Sequence, residues 1–248
     1  MKELSSRKVY LVILYTLIII LLFLICYDIF IFITKKYSNK VPFNAIRVSP
    51  ITGEHILVSN TKFPLIEINY DNGNFDNLSY IKYADITVEK FNSSNNMIDY
   101  TAYLYDKQIR TSDNIKSIKS ISTGSFPKLS FDDKTNINKN ELKKVDDINI
   151  KYNDNLSTSF SYNNNYYKKS DTLSPDYANI VVEYVPDNTD INHIYDAPFS
   201  GLLFSNGFCS SFKYNGKQCI FDDKNHISFA EGKTYWIILS KGASLKTN

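Results

Sequence analysis

The side chains able to do chemistry in this sequence are few and scattered. His55, His193 and His226 lie far apart and lack the spacing that brings imidazoles onto one metal ion. The acidic pairs Asp132-Asp133, Asp146-Asp147 and Asp222-Asp223 sit in turn-like contexts, where an Asp side chain bonds nearby backbone. No GxSxG, P-loop, HExxH or paired CxxC occurs, so no residue is assigned a catalytic role and no metal or other cofactor is expected. The run from Asp71 to Asp76 (DNGNFD) has calcium-loop residue types, but Gly73 is misplaced for one, and a strand-connecting turn is expected. Sequons at Asn77, Asn92 and Asn155 would matter only in a eukaryotic secretory pathway. What remains is Asp85 and Glu89 as acids, with Lys116 and Lys119 as contacts for an anion. On a regular strand the even separation of Asp85 and Glu89 puts them on one face. The plainer account has Asp85 ending a turn and Glu89 in solvent. Tyr166 and Tyr167 could form a glycan platform, or could equally be cross-strand packing partners.

The elements that would carry these residues divide into an apolar start and a strand-rich remainder. From Val9 to Tyr27 the sequence VYLVILYTLIIILLFLICY is apolar but for one Thr and the tyrosine hydroxyls. At roughly 1.5 Å per residue it approaches the roughly 30 Å of a bilayer core. The run resumes after Asp28, to Thr34. Few core helices are apolar on every face for so long, so residues 9–34 are expected to form a transmembrane helix after a tail of residues 1–8. Cys26 follows Ile25 rather than a small residue, which favours an uncleaved anchor over a lipoprotein signal. Lys2, Arg7 and Lys8 before the span balance Lys35, Lys36 and Lys40 after it, so charge does not orient it.

Over the 248 residues, 28 Lys and Arg against 26 Asp and Glu leave a net charge of +2, without the basic stripe of a nucleic-acid binder. Aromatics at 15% are too many for a disordered chain. Beyond residue 40, short apolar-aromatic runs alternate with Asn, Asp, Gly and Pro, the pattern of strands and turns. Strands are expected at Pro64–Asn69, Ala84–Val88, Tyr100–Tyr105, Asp147–Tyr152, Ser157–Tyr162 and Asn179–Val185. A β-meander should follow, from Gly201–Ser205 through Phe208–Tyr214, Lys217–Phe221 and Ile227–Ala230 to Tyr235–Ser240. Asn206-Gly207 and Asn215-Gly216 suit two-residue type I′ turns. That register pairs Tyr214 with Lys217 and turns Cys209 and Cys219 to opposite faces; only a bulge or longer loop would let them bridge. The expected class is mainly β, with α+β possible. The ectodomain would have an N-terminal half (41–134), a linker (135–147) and a C-terminal β-rich half (148–248).

The order of these segments resembles the YerB-like lipoprotein family of Gram-positive bacteria. Ser49–Gly53 (SPITG) is similar to its NPLTG-like opening, and Ala84–Lys90 (ADITVEK) to its ADIVYE strand. Phe160–Asp171, Asn179–Val185 (NIVVEYV) and Glu231–Leu239 (EGKTYWIIL) resemble its later segments. The resemblance implies a two-part extracytoplasmic domain with no established reaction. It also implies that Lys116 and Lys119 stand where the family has arginines, which keeps charge but loses the bidentate fork. The chain looks shortened in its middle, with a transmembrane anchor in place of the lipidated cysteine. The expected role is therefore a membrane-anchored binding or envelope-organising module, displayed outside the cell. Its partners would be the membrane and a cell-envelope polymer or another envelope protein. An envelope hydrolase or transferase and a glycan-binding module are the alternatives.

Overall fold

The structure, a computed structural model, describes residues 11–28 (except 12 and 26), 45–58, 65–70, 74–105, 115–131, 141–170, 172–185, 194, 198–221, 226–239 and 242–248. The chain forms two compact units, Met1–Ala45 with Leu57–Thr61, and Ile46–Ile56 with Lys62–Asn248. In the first, the described residues between 11 and 28 are helical, and their large apolar side chains are exposed. Among the described residues, no helix is long and apolar enough to cross a membrane.

The rest is mainly β. The strands are β1 (Ala45–Val48), β2 (His55–Val58), β3 (Leu65–Tyr70), β4 (Ile86–Asn92), β5 (Met97–Tyr105), β6 (Ile115–Ile121), β7 (Lys143–Lys144) and β8 (Asp147–Lys151). They continue with β9 (Ser157–Asn163), β10 (Tyr166–Lys169), β11 (Asn179–Tyr184), β12 (Phe199–Ser205), β13 (Phe208–Tyr214), β14 (Cys219–Phe221), β15 (Thr234–Leu239) and β16 (Ser244–Thr247). A ten-stranded sheet runs β14-β13-β12-β11-β15-β4-β5-β3-β6, with β7 beside β13. A four-stranded sheet runs β10-β9-β8-β16, and β1 and β2 form a pair.

The centre of the large sheet explains its sequence. β15 lies parallel to both β11 and β4, and all six of its residues are buried. Tyr235, Ile237 and Leu239 enter one core with Ile148, Ile150 and Phe160 of the small sheet. Trp236 and Ile238 enter a second core, which also holds Ile51, Phe126, Leu129, Ile227 and Phe229 from the connections. A strand covered on both faces reads as an unbroken apolar run, as YWIIL does.

Three expectations for the C-terminal region are corrected. Tyr235–Ser240 does not continue the meander, which runs only from β11 to β14; β15 crosses to the sheet centre. Ile227–Ala230 is not a strand. Its amides bond Ser210 Oγ, the Ser130 carbonyl and Asn179 Oδ1 at 2.8–3.1 Å, so this segment roofs the second core. Asn206-Gly207 makes the expected two-residue turn, with φ of 53° and 77°. At Asn215-Gly216 the turn is longer: Tyr214 pairs with Cys219, and Asn215 Oδ1 accepts from the amides of Lys217 and Gln218 at 3.0 Å. The register moves by two residues, so its parity holds, and Cys209 and Cys219 pack into different cores as free thiols.

Candidate functional site

The four candidate residues do not converge. Asp85 is buried just before β4. Its carboxylate accepts the Tyr105 amide at 2.7 Å and its carbonyl accepts the Thr234 amide at 3.0 Å. It thereby ties together the adjoining ends of β4, β5 and β15.

Glu89 is fully buried between the two sheets. The Tyr152 hydroxyl donates to Oε1 at 2.5 Å, while Lys169 Nζ donates to Oε2 at 2.6 Å and the Tyr235 hydroxyl donates to the same oxygen. Lys169 also donates to Thr158 Oγ1 and, at 3.1 Å, to the Tyr235 oxygen. An ammonium has three N–H donors, and all three are used within this network. The rings of Phe75, Phe160 and Tyr235 surround the ammonium at 5.0–5.5 Å, at cation–π range. Burial, and then the Glu89 carboxylate, push the Tyr152 and Tyr235 phenols well above their ordinary range. Lys169 borders a cleft of about 450 Å³ with Phe75, Tyr100 and Thr158, but its donors are spent before they reach it. The centre clamps one sheet to the other.

Lys116 and Lys119 line a different cleft, of about 280 Å³, on the opposite face of the large sheet. Lys119 and Glu67 are directly opposed on β6 and β3, with Nζ 4.0 Å from Oε1. Glu67 is fully buried, whereas the Lys119 side chain is 55% exposed. The Tyr103 hydroxyl donates to Glu67 Oε2 at 3.2 Å. Two residues further along, the ladder places Ser117, Asn69, Thr101 and Val88 side by side. Lys90 and Asp99, a cross-strand pair of β4 and β5, close one side. Lys116 and Lys119 are three apart and would face opposite ways on a regular strand. They share the cleft because the β3–β6 register shifts there: Asn69 pairs with Ser117 and Tyr70 with Ile115, so Lys116 is the extra residue of a bulge.

Of the tyrosines considered for a platform, Tyr166 is 43% exposed, and Tyr167 is buried and packs 4.9 Å from Tyr162. Among the described residues, no group of His, Cys, Asp and Glu is placed to hold a metal ion. Sequence reasoning missed Glu67 and Lys169. Both carried a signal: Glu67 is in phase with Leu65 in the apolar run PLIEIN, and Lys169 with Tyr167 in YYKK.

A mixed, mainly antiparallel ten-stranded sheet with a parallel centre, packed on a four-stranded sheet, defines the class of fold. A solved structure with this fold is YerB protein from Bacillus subtilis, matched with a TM-score of 0.51 at 13% identity over 81% of this chain and 99% of that one. The likeness is one of fold. Coverage of nearly all of the YerB chain gives no support to the expected shortening. No family model and no curated protein matches the chain.

Proposed function

We propose that the chain is a single-pass, membrane-anchored module that binds a component of the cell envelope outside the cytoplasm. The observation that carries the binding reading over the hydrolase is that the two acids considered for catalysis, Asp85 and Glu89, lie away from Lys116 and Lys119. Glu89 has its donors packed around it and no open side, Asp85 holds backbone, and Lys116 and Lys119 line a cleft on the other face. General acid–base catalysis needs an acid within hydrogen-bond reach of substrate, and neither acid offers that reach. The extracytoplasmic placement rests on the resemblance of the ordered segments from Ser49–Gly53 to Glu231–Leu239 to a lipoprotein family. The anchor rests on the whole apolar run of residues 9–34, of which the described helical residues are a part.

The test is co-sedimentation of the detergent-solubilised full chain with isolated cell envelope. Retention without release of soluble fragments is expected, and Lys90→Gln with Lys116→Gln should weaken it. Fragment release that ceases in a folded Glu89→Gln variant would establish the hydrolase instead.

A further inference from the structure

The buried centre between the sheets holds a primary amine against a carboxylate, with an acceptor for every proton of the ammonium. Lys169 Nζ lies 2.6 Å from Glu89 Oε2, so the carboxyl carbon is one bond beyond the contact. Its other two N–H groups are directed to Thr158 Oγ1 and, at 3.1 Å, to the Tyr235 oxygen. Tyr235 donates its own proton to Oε2, so a single hydroxyl links the nitrogen to that carboxyl oxygen. On the other oxygen, Oε1, the Tyr152 hydroxyl donates at 2.5 Å. Both side chains of the pair are buried, and the rings of Phe75, Phe160 and Tyr235 stand around the nitrogen. An ion pair alone requires no such arrangement. A reaction between amine and carboxyl requires all of it: a donor on one oxygen, a bridging hydroxyl to the other, and an acceptor for the proton left over.

We propose that Lys169 and Glu89 condense to an intramolecular amide, which joins β10 of the small sheet covalently to β4 of the large one. The Nζ proton in contact with Oε2 passes to it, leaving an amine beside a carboxylic acid. The nitrogen lone pair forms the Nζ–Cδ bond, and the carbonyl electron pair moves onto Oε1, where the Tyr152 hydroxyl stabilises the charge. A second Nζ proton passes to the Tyr235 oxygen while Tyr235 hands its own to Oε2. The Cδ–Oε2 bond then breaks, Oε2 leaves as water with both protons, and the carbonyl re-forms. The third proton remains as the amide N–H, facing Thr158 Oγ1. Water is the sole by-product. Holding the two groups in contact is worth an effective concentration of about 10⁵–10⁸ M. A neutral amide also relieves the desolvation cost that two buried charges carry. Burial, the largest cause, keeps both phenols well above their ordinary range, so they stay protonated donors at neutral pH. The cleft of about 450 Å³ bordered by Lys169 and Thr158 gives the water a way out. Until it condenses, the centre holds the ion pair.

The experiment is intact mass spectrometry of the detergent-solubilised full chain, sampled from first purification through prolonged incubation. The folded chain should become lighter by the mass of one water. Trypsin does not cleave after an acylated lysine, so digestion should yield a branched peptide joining residues 83–90 to the segment that begins at Lys169. Lys169→Arg should keep its full mass. Tyr235→Phe retains both reactants but removes the bridging hydroxyl, and should slow the loss of water about a hundredfold or more. Tyr152→Phe removes the donor on Oε1 and should slow it by a similar factor. Circular dichroism like that of the unsubstituted chain shows that each variant is folded, and the branched peptide decides the matter even where a variant does not fold. A folded chain that keeps its whole mass, a loss of water that persists in Lys169→Arg, or one that maps to another peptide would overturn the amide. Rates unchanged in both tyrosine variants would overturn the roles given to the two phenols.

Discussion

Glu89 is buried at the contact of the two sheets, and the three donors that reach it come from three elements: Lys169 on β10, Tyr235 on β15 and Tyr152 after β8. Lys169→Met would remove the one cationic partner and leave a buried carboxylate beside apolar rings. Breaking a buried pair from one side costs about 3–5 kcal/mol, so urea unfolding should shift by that amount. Adding Glu89→Gln should restore part of the loss, because the amide carries no charge, its oxygen can accept from one tyrosine and its NH2 can donate to the hydroxyl oxygen of the other. If the double variant is no more stable than the single one, the pair is not the origin of the cost. The phenols of Tyr100, Tyr152, Tyr177 and Tyr235 are all raised, chiefly by burial and further by Glu89. A phenol raised in the fold stays neutral there while the unfolded chain ionises from about pH 10. The stability it contributes is full below that pH and is lost as pH rises above it. In an alkaline titration the tyrosinate absorbance of these four should therefore appear together with loss of tertiary circular dichroism; ionisation in the intact fold would contradict their burial. Little of this centre was legible in the sequence. Glu89 was visible as a strand residue, but its burial depends on Lys169, which is distant in the chain.

At the level of elements, period-2 patterning located the central strands but not β1, β2, β6, β7, β10 or β16, and pairing was legible only between chain neighbours joined by tight turns. The β12–β13 hairpin followed from Asn206-Gly207, whereas the parallel neighbours of β15 are separated from it by whole strands, and no local signal names them. β6 was hard to see because its IKSIKSI sequence reads as a charged surface segment and is an edge strand. The sheet centre makes its own predictions. Trp236 is fully buried and donates from Nε1 to Glu183 at 2.8 Å, so Trp236→Ala should cost about 3–5 kcal/mol in chemical denaturation. A Cβ on Gly201 of β12 would stand 2.7 Å from the Val182 carbonyl and 3.1 Å from the Phe212 ring. Backbone oxygen in a paired strand cannot step aside, so Gly201→Ala should destabilise by roughly 1–3 kcal/mol, as overpacked sites do. A melting temperature equal to that of the unsubstituted chain would show that β11 and β12 can separate locally. On β13 and β14, burial raises the Cys209 thiol to about 11 and the Cys219 thiol to about 12, the latter helped by Glu183. Both should resist a thiol reagent at neutral pH until denaturant is added, and mild oxidation should not join them, because they face opposite sides of one sheet.

The whole molecule places a polar-faced β-body after an apolar segment, and the two make opposite demands on solvent. The described helical residues expose Leu11, Ile13, Leu14 and their apolar successors through Tyr27, a surface that water alone solvates poorly. Together with the run that reaches Thr34, this segment is expected to hold the full chain in the bilayer. Carbonate or high-salt washing should leave it in the membrane fraction, and detergent should release it; recovery of a soluble form beginning after residue 26 would defeat the anchor. The side on which the β-body lies is a separate question, because three basic residues flank the apolar run on each side, Lys2, Arg7 and Lys8 before it and Lys35, Lys36 and Lys40 after it. The extracytoplasmic placement proposed above is open to a direct test. Protease added to intact, wall-stripped cells should then remove epitopes beyond residue 40 and spare the N-terminal tail. Protection of the body until the membrane is permeabilised would place it in the cytoplasm.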